Sequence, residues 1–209
     1  MKTFLFDLDG TLLDSIDLIL TSFHHTSRVH LGREFSDSHW LGGIGTPLRA
    51  QLSRMAASEE ELDAMLETYR IYNLEHHDEM AKPYPGVVEL VRRLHQRGAN
   101  LALVTSKLRM GAERGLQLLD LEKELTVRVC ADDVVRGKPH PEPVLKALGA
   151  LGVPSAEAVL IGDSAHDIYA GKSAGVVTAA VSWGPFAREI LEAAGPDLWI
   201  EEPRQVLAL

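Results

Sequence analysis

The sequence predicts an α/β fold, a Rossmann-like doubly wound parallel sheet interrupted once by a small α-helical insertion. Three observations carry that expectation. Short apolar runs recur at 3–6, 101–104, 127–130, 158–161, 178–181 and 198–200, each closed by polar or small residues, as strands buried on both faces are. Helical patterns separate them, which implies right-handed βαβ units. Between the first run and Pro83 the chain carries only helical signals.

Taken in order, the run 3–6 ends at Asp7. "SIDLILTSFHHTSRVHL" then places Ile16, Ile19, Leu20 and Phe23 on one helical face. "GGIGTP" reads as a loop. "SEEELDAMLETYRIYNLEHH" reads as a helix with Ser58 as N-cap and acids in its first turn. "KPYPG" at 82–86 reads as the return linker. The expected division is a core of 1–14 and 83–209 with a helical cap of 15–82. In "GVVELVRRLHQRG", Val88, Val91, Leu94 and His95 form the expected inner face and Gly98 the stop. "PEPVLKALGALG" opens on prolines, which suit a first helical turn, and offers Val144, Leu145, Leu148 and Leu151.

The bulk numbers narrow the function. With 209 residues, 45% of them hydrophobic, the chain can bury a sizeable core. Its formal net charge of −9 repels nucleic acid and anionic membranes. An anionic substrate therefore requires a local positive site, from a metal or from Lys and Arg. Cys130 is the only cysteine, which leaves no disulfide framework and reads as strand packing. No stretch approaches the ~18 apolar residues of a membrane span and no leader pattern opens the chain, so the expected compartment is the cytoplasm.

Asp7 stands where a strand should end, and open parallel sheets bind ligands at their carboxyl ends. Asp9, two residues on, faces the same way in extended chain. Gly10 allows a sharp turn or the close approach of a ligand, and Thr11 can cap the next segment. Adjacent carboxylates repel unless one keeps a proton or a cation intervenes. Either outcome is useful: nucleophile plus general acid, or ligands for a hard cation such as Mg²⁺. The other strand ends strengthen this reading. The run 101–104 ends in Thr105, Ser106 and Lys107, which can hold an anion. The run 158–161 ends in "GDSAHD", with Asp163 and Asp167 four residues apart on one helical face. Four carboxylates at two strand tips call for a cation. Lys138, pinned in "RGKPHPEP", can neutralise that cluster and bind phosphate. In "GGIGTPLR", Gly45 permits close approach and Arg49 can meet a substrate anion. The adjacent pairs His24–His25 and His76–His77 point about 100° apart on a helix and read as surface or packing. Trp40, Trp183 and Trp199 read as packing. These pieces fit phosphoryl transfer.

"DLDGT", "VTSK", "GKPHPEP" and "GDSAHD", in this order, resemble the four motifs of the haloacid dehalogenase-like phosphohydrolases. The resemblance spans nearly the whole chain. It implies that Asp7 is the nucleophile, Asp9 the general acid and base, and Thr105 the holder of the phosphoryl group, with Ser106 beside it. Lys138 becomes the third-motif lysine. Asp163 would complete a Mg²⁺ site with Asp7 and the Asp9 backbone carbonyl, supported by Asp167 directly or through water. The insertion matches the helical cap of the superfamily's first subclass. The motifs are similar to those of phosphoglycolate phosphatases, whereas "LILTSFHHT", "YRIYNLEHHDEM", "VTSKLRMGAERGLQLLDL" and "AVSWGPFAREILEAAGPD" resemble the inorganic pyrophosphatase of bacilli. The implied partner is pyrophosphate or a small phosphorylated metabolite, turned over by a monomer or homodimer. The alternatives are a phosphoglycolate phosphatase, a sugar phosphomutase, or a non-metabolic receiver-like phospho-acceptor.

Overall fold

The computed structural model describes residues 2–209. The apolar runs become β1 (Thr3–Phe6), β4 (Asn100–Val104), β5 (Val127–Val129), β6 (Ala158–Gly162), β7 (Val177–Val181) and β8 (Leu198–Ile200). They form one parallel sheet in the order β5-β4-β1-β6-β7-β8. β1 is central, pairing Thr3 with both Asn100 and Ala158, and all four of its residues are buried. Alternation along the strands divides the core into two layers. Phe4, Phe6, Leu101, Leu103, Val159 and Ile161 pack with helices α5 (Val87–Gln96) and α6 (Arg109–Leu119). Leu5, Ala102, Val104 and Leu160 pack with α7 (Glu142–Leu151) and α8 (Ala165–Ala174). Burying each such large side chain stabilises the fold by about 1.5–3 kcal/mol.

Two helix faces differ from the expected ones by one position. α5 turns Val87, Leu90, Val91 and Leu94 inward, leaving Val88 half-buried and His95 exposed. α7 buries Val144, Ala147 and Leu148, and Leu145 is exposed. In each helix one step along the chain rotates a side chain about 100°, so a single position decides which residue meets the sheet.

The excursion between β1 and α5 is helical and has its own apolar centre. α1 (Ile16–Leu31) packs against α4 (Glu59–Met80), burying Ile16, Ile19, Phe23, Trp40, Leu62, Met65 and Tyr69 together. Phe23 stacks on Trp40 at 4.5 Å. Ser58 caps α4 by accepting from the Glu61 amide. The expected loop "GGIGTP" spans 42–47, flanked by two short helices, α2 (Asp37–Leu41) and α3 (Leu48–Leu52). The expected linker also begins in a strand: β2 (Leu13–Asp14) and β3 (Lys82–Pro83) pair antiparallel where the chain leaves and rejoins the core. Two-residue strands carry no periodic signal. Arg114 of α6 grips Asp78 of α4 through two bonds of 3.0 and 2.8 Å, and this contact holds the Asp78 carboxyl down at about 2.

The tryptophans and histidines mostly pack. Trp183 donates to the Thr11 carbonyl and Trp199 lies under Arg188. His25 stacks on Tyr72 and His76 packs against the same ring at a tilt, and no histidine joins a metal-sized cluster among the described residues. Burial pushes the Cys130 thiol up to about 11. No described helix is long and apolar enough to cross a membrane.

Candidate active site

The carboxyl ends of β1, β4 and β6 converge. The Asp7 amide extends the ladder one step beyond β1 by donating to the Ile161 carbonyl at 2.9 Å. The chain then folds sharply, with the amides of Leu12 and Leu13 both donating to the Leu8 carbonyl. Gly10 makes this turn at φ +85° and lies so close to Asp163 that a Cβ there would stand 2.4 Å from its Oδ2. Gly10→Ala should therefore displace Asp163. We expect a stability loss of about 1–3 kcal/mol from the strained backbone, seen in thermal melts, and phosphate release falling at least about tenfold.

Carboxylate oxygens of Asp7, Asp163 and Asp167 lie within 4.8 Å of one another, all buried. Lys138, 2% exposed, donates to Asp7 at 2.8 Å, to Asp167 at 2.5 Å and to the Val104 carbonyl at 3.1 Å. Burial opposes its charge, but Asp167 and Asp7 outweigh that and raise its pKa. Burial pushes Asp7 up to about 7, against the pull of Lys138 and with help from Asp167. Burial, then the Asp7 charge, raises Asp163 well above the usual range. Asp167 has both oxygens engaged. One takes Lys138 and the other accepts from the Ser164 hydroxyl (2.5 Å) and amide (3.1 Å) at the start of α8. Asp163 differs: Thr11 donates to its Oδ1 at 3.0 Å, while its buried Oδ2 has no partner among the described residues. An orphaned carboxylate oxygen among oxygen-only donors suits a hard divalent cation. The Thr11 hydroxyl thus serves Asp163 rather than capping the next segment.

Asp9 lines the same cavity but stands outside this trio. The turn at 8–10 delivers its Oδ1 to the Ser15 hydroxyl at 2.6 Å and the Lys107 ammonium at 2.9 Å. The expected cluster of four is therefore three carboxylates, with a fourth paired to a lysine. Thr105, 4% exposed, anchors its amide on Val129 and lines the cavity. The Ser106 hydroxyl is spent on the Gly45 carbonyl, 2.7 Å away, joining the loop of the insertion to the sheet tip. Gly45 adopts φ +94°, and a Cβ there would lie 3.1 Å from His166 and 3.2 Å from Ser164. Close approach at this glycine is thus realised. Arg49 departs from expectation. It sits on α3, and its guanidinium is held by Asp63 at 2.7 Å and by Glu59, because the acids that open α4 neutralise it.

Between the insertion and the sheet tips lies a cavity of about 340 Å³. Asp7, Asp9, Thr105, Ser106, Lys107 and Asp163 line its floor, and Ile19, Phe23, Ile44, Leu48, Leu74 and Met110 make apolar walls. Tyr69, Arg70 and Asn73 of α4 also face it. All three lie in "YRIYNLEHHDEM", one of the stretches that carry the resemblance, which gave none of them a role; their spacing with Leu74 at i, i+3 and i+4 marks a shared helix face. A second acidic group, Cys130, Asp132 and Asp133, is already satisfied. Arg109 and the Cys130 amide bind one oxygen of Asp133, and the Arg109 amide binds Asp132.

The same architecture recurs in known proteins. A sequence profile of haloacid dehalogenase-like hydrolases matches residues 4–181. The chain is 41% identical to pyrophosphatase PpaX of Anoxybacillus flavithermus over 209 residues, covering 100% of this chain and 96% of that one. It is 41% identical to pyrophosphatase PpaX of Halalkalibacterium halodurans over 197 residues, 94% and 91% of the two chains. A hydrolase from Pseudomonas syringae superposes with a TM-score of 0.90 at 25% identity, over 100% and 97% of the chains. A predicted phosphoglycolate phosphatase from Haemophilus somnus shares the fold with a TM-score of 0.90 at 23% identity, over 100% and 97%. This chain belongs to the haloacid dehalogenase-like hydrolase family.

Proposed function

We propose that the protein is a Mg²⁺-dependent phosphatase that transfers a phosphoryl group to Asp7 and then to water, with inorganic pyrophosphate as its leading substrate. One observation carries this reading: a buried carboxylate trio containing an unpartnered oxygen and neutralised by the buried Lys138, with Asp7 and Asp163 of the trio facing the cavity under the insertion. The pyrophosphatase names of the relatives at 41% identity support the substrate.

Asp7 and Asp163 would hold the Mg²⁺ with the Asp9 backbone carbonyl, while Asp167 supports the site through Lys138 and Ser164. When bound, the ion offsets repulsion between the Asp7 carboxylate and the incoming phosphoryl group. Lys138 holds one Asp7 oxygen, leaving the other to attack phosphorus. Thr105 and Lys107 hold phosphoryl oxygens. A phosphate competing for Lys107 releases Asp9, which takes up a proton from solvent and delivers it to the leaving oxygen as the P–O bond breaks. Asp9 then takes a proton from the water that attacks the acyl phosphate, freeing phosphate and regenerating Asp7. The helical segment 15–82 acts as the cap over a core of 1–14 and 83–209, closing the cavity through Gly45 and Ser106 and excluding water. The protein works in the cytoplasm as a monomer or homodimer.

The apolar walls and volume of the cavity favour one second reading, a phosphate ester of a small organic acid such as phosphoglycolate. Phosphate release with pyrophosphate, phosphoglycolate and sugar phosphates, in Mg²⁺ and in EDTA, tests both. Release from pyrophosphate that EDTA abolishes is expected. Activity surviving EDTA contradicts the metal, and fast phosphoglycolate with idle pyrophosphate contradicts the substrate. Transfer between sugar positions without phosphate release identifies a mutase, and phosphorylation without turnover a phospho-acceptor domain.

The raised carboxyls also set how stability depends on pH. Asp7 ionises near 7 in the fold against 3.8 for an ordinary aspartate, and Asp163 is raised as well. The folded protein then binds more protons than the unfolded chain across that interval, so metal-free stability falls as pH rises from about 4 to 7. A cation on the same oxygens reverses this. The melting temperature should rise on adding Mg²⁺ at pH 8 and hardly at all at pH 5. Equal shifts at both would contradict the assignment.

A further inference from the structure

We propose that Arg70 selects substrates with an anionic distal group, receiving the phosphate or carboxylate that leaves with the departing oxygen. This deepens the phosphatase reading and rests on it. Three cations line the cavity: Arg49, Arg70 and Lys107. Arg49 is committed to Asp63 and Glu59, and Lys107 to Asp9. Arg70 makes no hydrogen bond or ion pair among the described residues. Its helix face is anchored on either side. Tyr69 packs on Phe23 at 4.8 Å, and Asn73 donates to Ser22 at 3.1 Å in the buried interface with α1. The backbone that carries Arg70 is thereby held over the cavity while its guanidinium stays free.

The geometry of the floor gives the leaving group its direction. Asp7, Lys138 and Thr105 lie at the strand tips with the sheet behind them, so a phosphoryl group held there presents its leaving oxygen toward the insertion. The walls on that side are apolar. A second anion among them is costly without a counter-charge, and Arg70 is the cation not already neutralised. Its planar fork can bind two oxygens of a phosphate or carboxylate at once. A substrate with a neutral leaving group gains nothing from it.

The test compares pyrophosphate, phosphoglycolate and p-nitrophenyl phosphate in the wild type, Arg70→Gln and Arg70→Lys. Arg70→Gln should lower kcat/KM for the two doubly anionic substrates about tenfold or more, chiefly through KM, and change p-nitrophenyl phosphate by less than about twofold. Arg70→Lys should recover part of the loss. Equal losses on all three substrates, or none on any, would overturn the proposal. The wild type separates the two readings. If it cleaves p-nitrophenyl phosphate but not pyrophosphate, pyrophosphate falls and Arg70 is judged on phosphoglycolate. If it cleaves neither acid, the Arg70 proposal falls too.

Discussion

Asp7→Asn is expected to lower phosphate release by at least about 10⁴-fold while leaving the fold intact. The substitution keeps the shape of the side chain, and the backbone bond from residue 7 to Ile161 does not involve it. The carboxamide oxygen can still accept from Lys138, which keeps Asp167 as a charged partner. What disappears is the anionic oxygen that attacks phosphorus in the proposed mechanism. Stability should hold or rise, because burial and Asp167 both disfavour the native charge on Asp7. Circular dichroism and a melting curve alongside the phosphate assay separate lost chemistry from lost structure. Activity within about tenfold of wild type would mean that another group attacks.

Lys138→Met should be the most damaging change to stability. Lys138 is the cation hydrogen-bonded to two buried carboxylates, Asp7 and Asp167. Removing one member of a buried ion cluster strands the others and costs about 3–5 kcal/mol, roughly 10 °C in melting temperature for a chain of this size. The sign of its pH dependence is specific. Without the ammonium, both carboxyls are favoured in their protonated form, so the deficit should shrink as pH falls from 7 toward 5 and widen as it rises. Phosphate release should vanish together with stability at neutral pH. Denaturant unfolding at several pH values checks this, and a pH-independent deficit would point to packing instead.

The strands of the sheet were legible because a parallel strand covered on both faces has to be apolar throughout, as "TFLF" and "AVLI" are. The carboxylate cluster and Lys138 were legible as a group because each acid closely follows such a run and the lysine precedes a helix. Residues that position those groups left no such mark. Thr11 reaches Asp163 across 152 positions of sequence. Gly184 leaves room for Asp163, since a Cβ there would lie 2.4 Å from the Asp163 Cβ, and nothing near Trp183 announces it. Arg49 misled because an isolated cation beside a glycine loop looks available, while the acids that consume it come 10 and 14 residues later. Arg70 gave no sign of a role for the opposite reason: in a long helix with a weak apolar stripe, an exposed arginine looks like solvated surface until the fold sets it at the edge of the cavity.

The proposed covalent transfer to Asp7 can be tested directly. Enzyme turning over pyrophosphate with Mg²⁺ can be quenched with acid and treated with borohydride, which reduces an acyl phosphate to the alcohol. Peptide mass analysis should then find homoserine at position 7, in amounts that depend on substrate, with Asp9, Asp163 and Asp167 unchanged. Steady phosphate release with Asp7 unmodified, or with the label on any other residue, would contradict it.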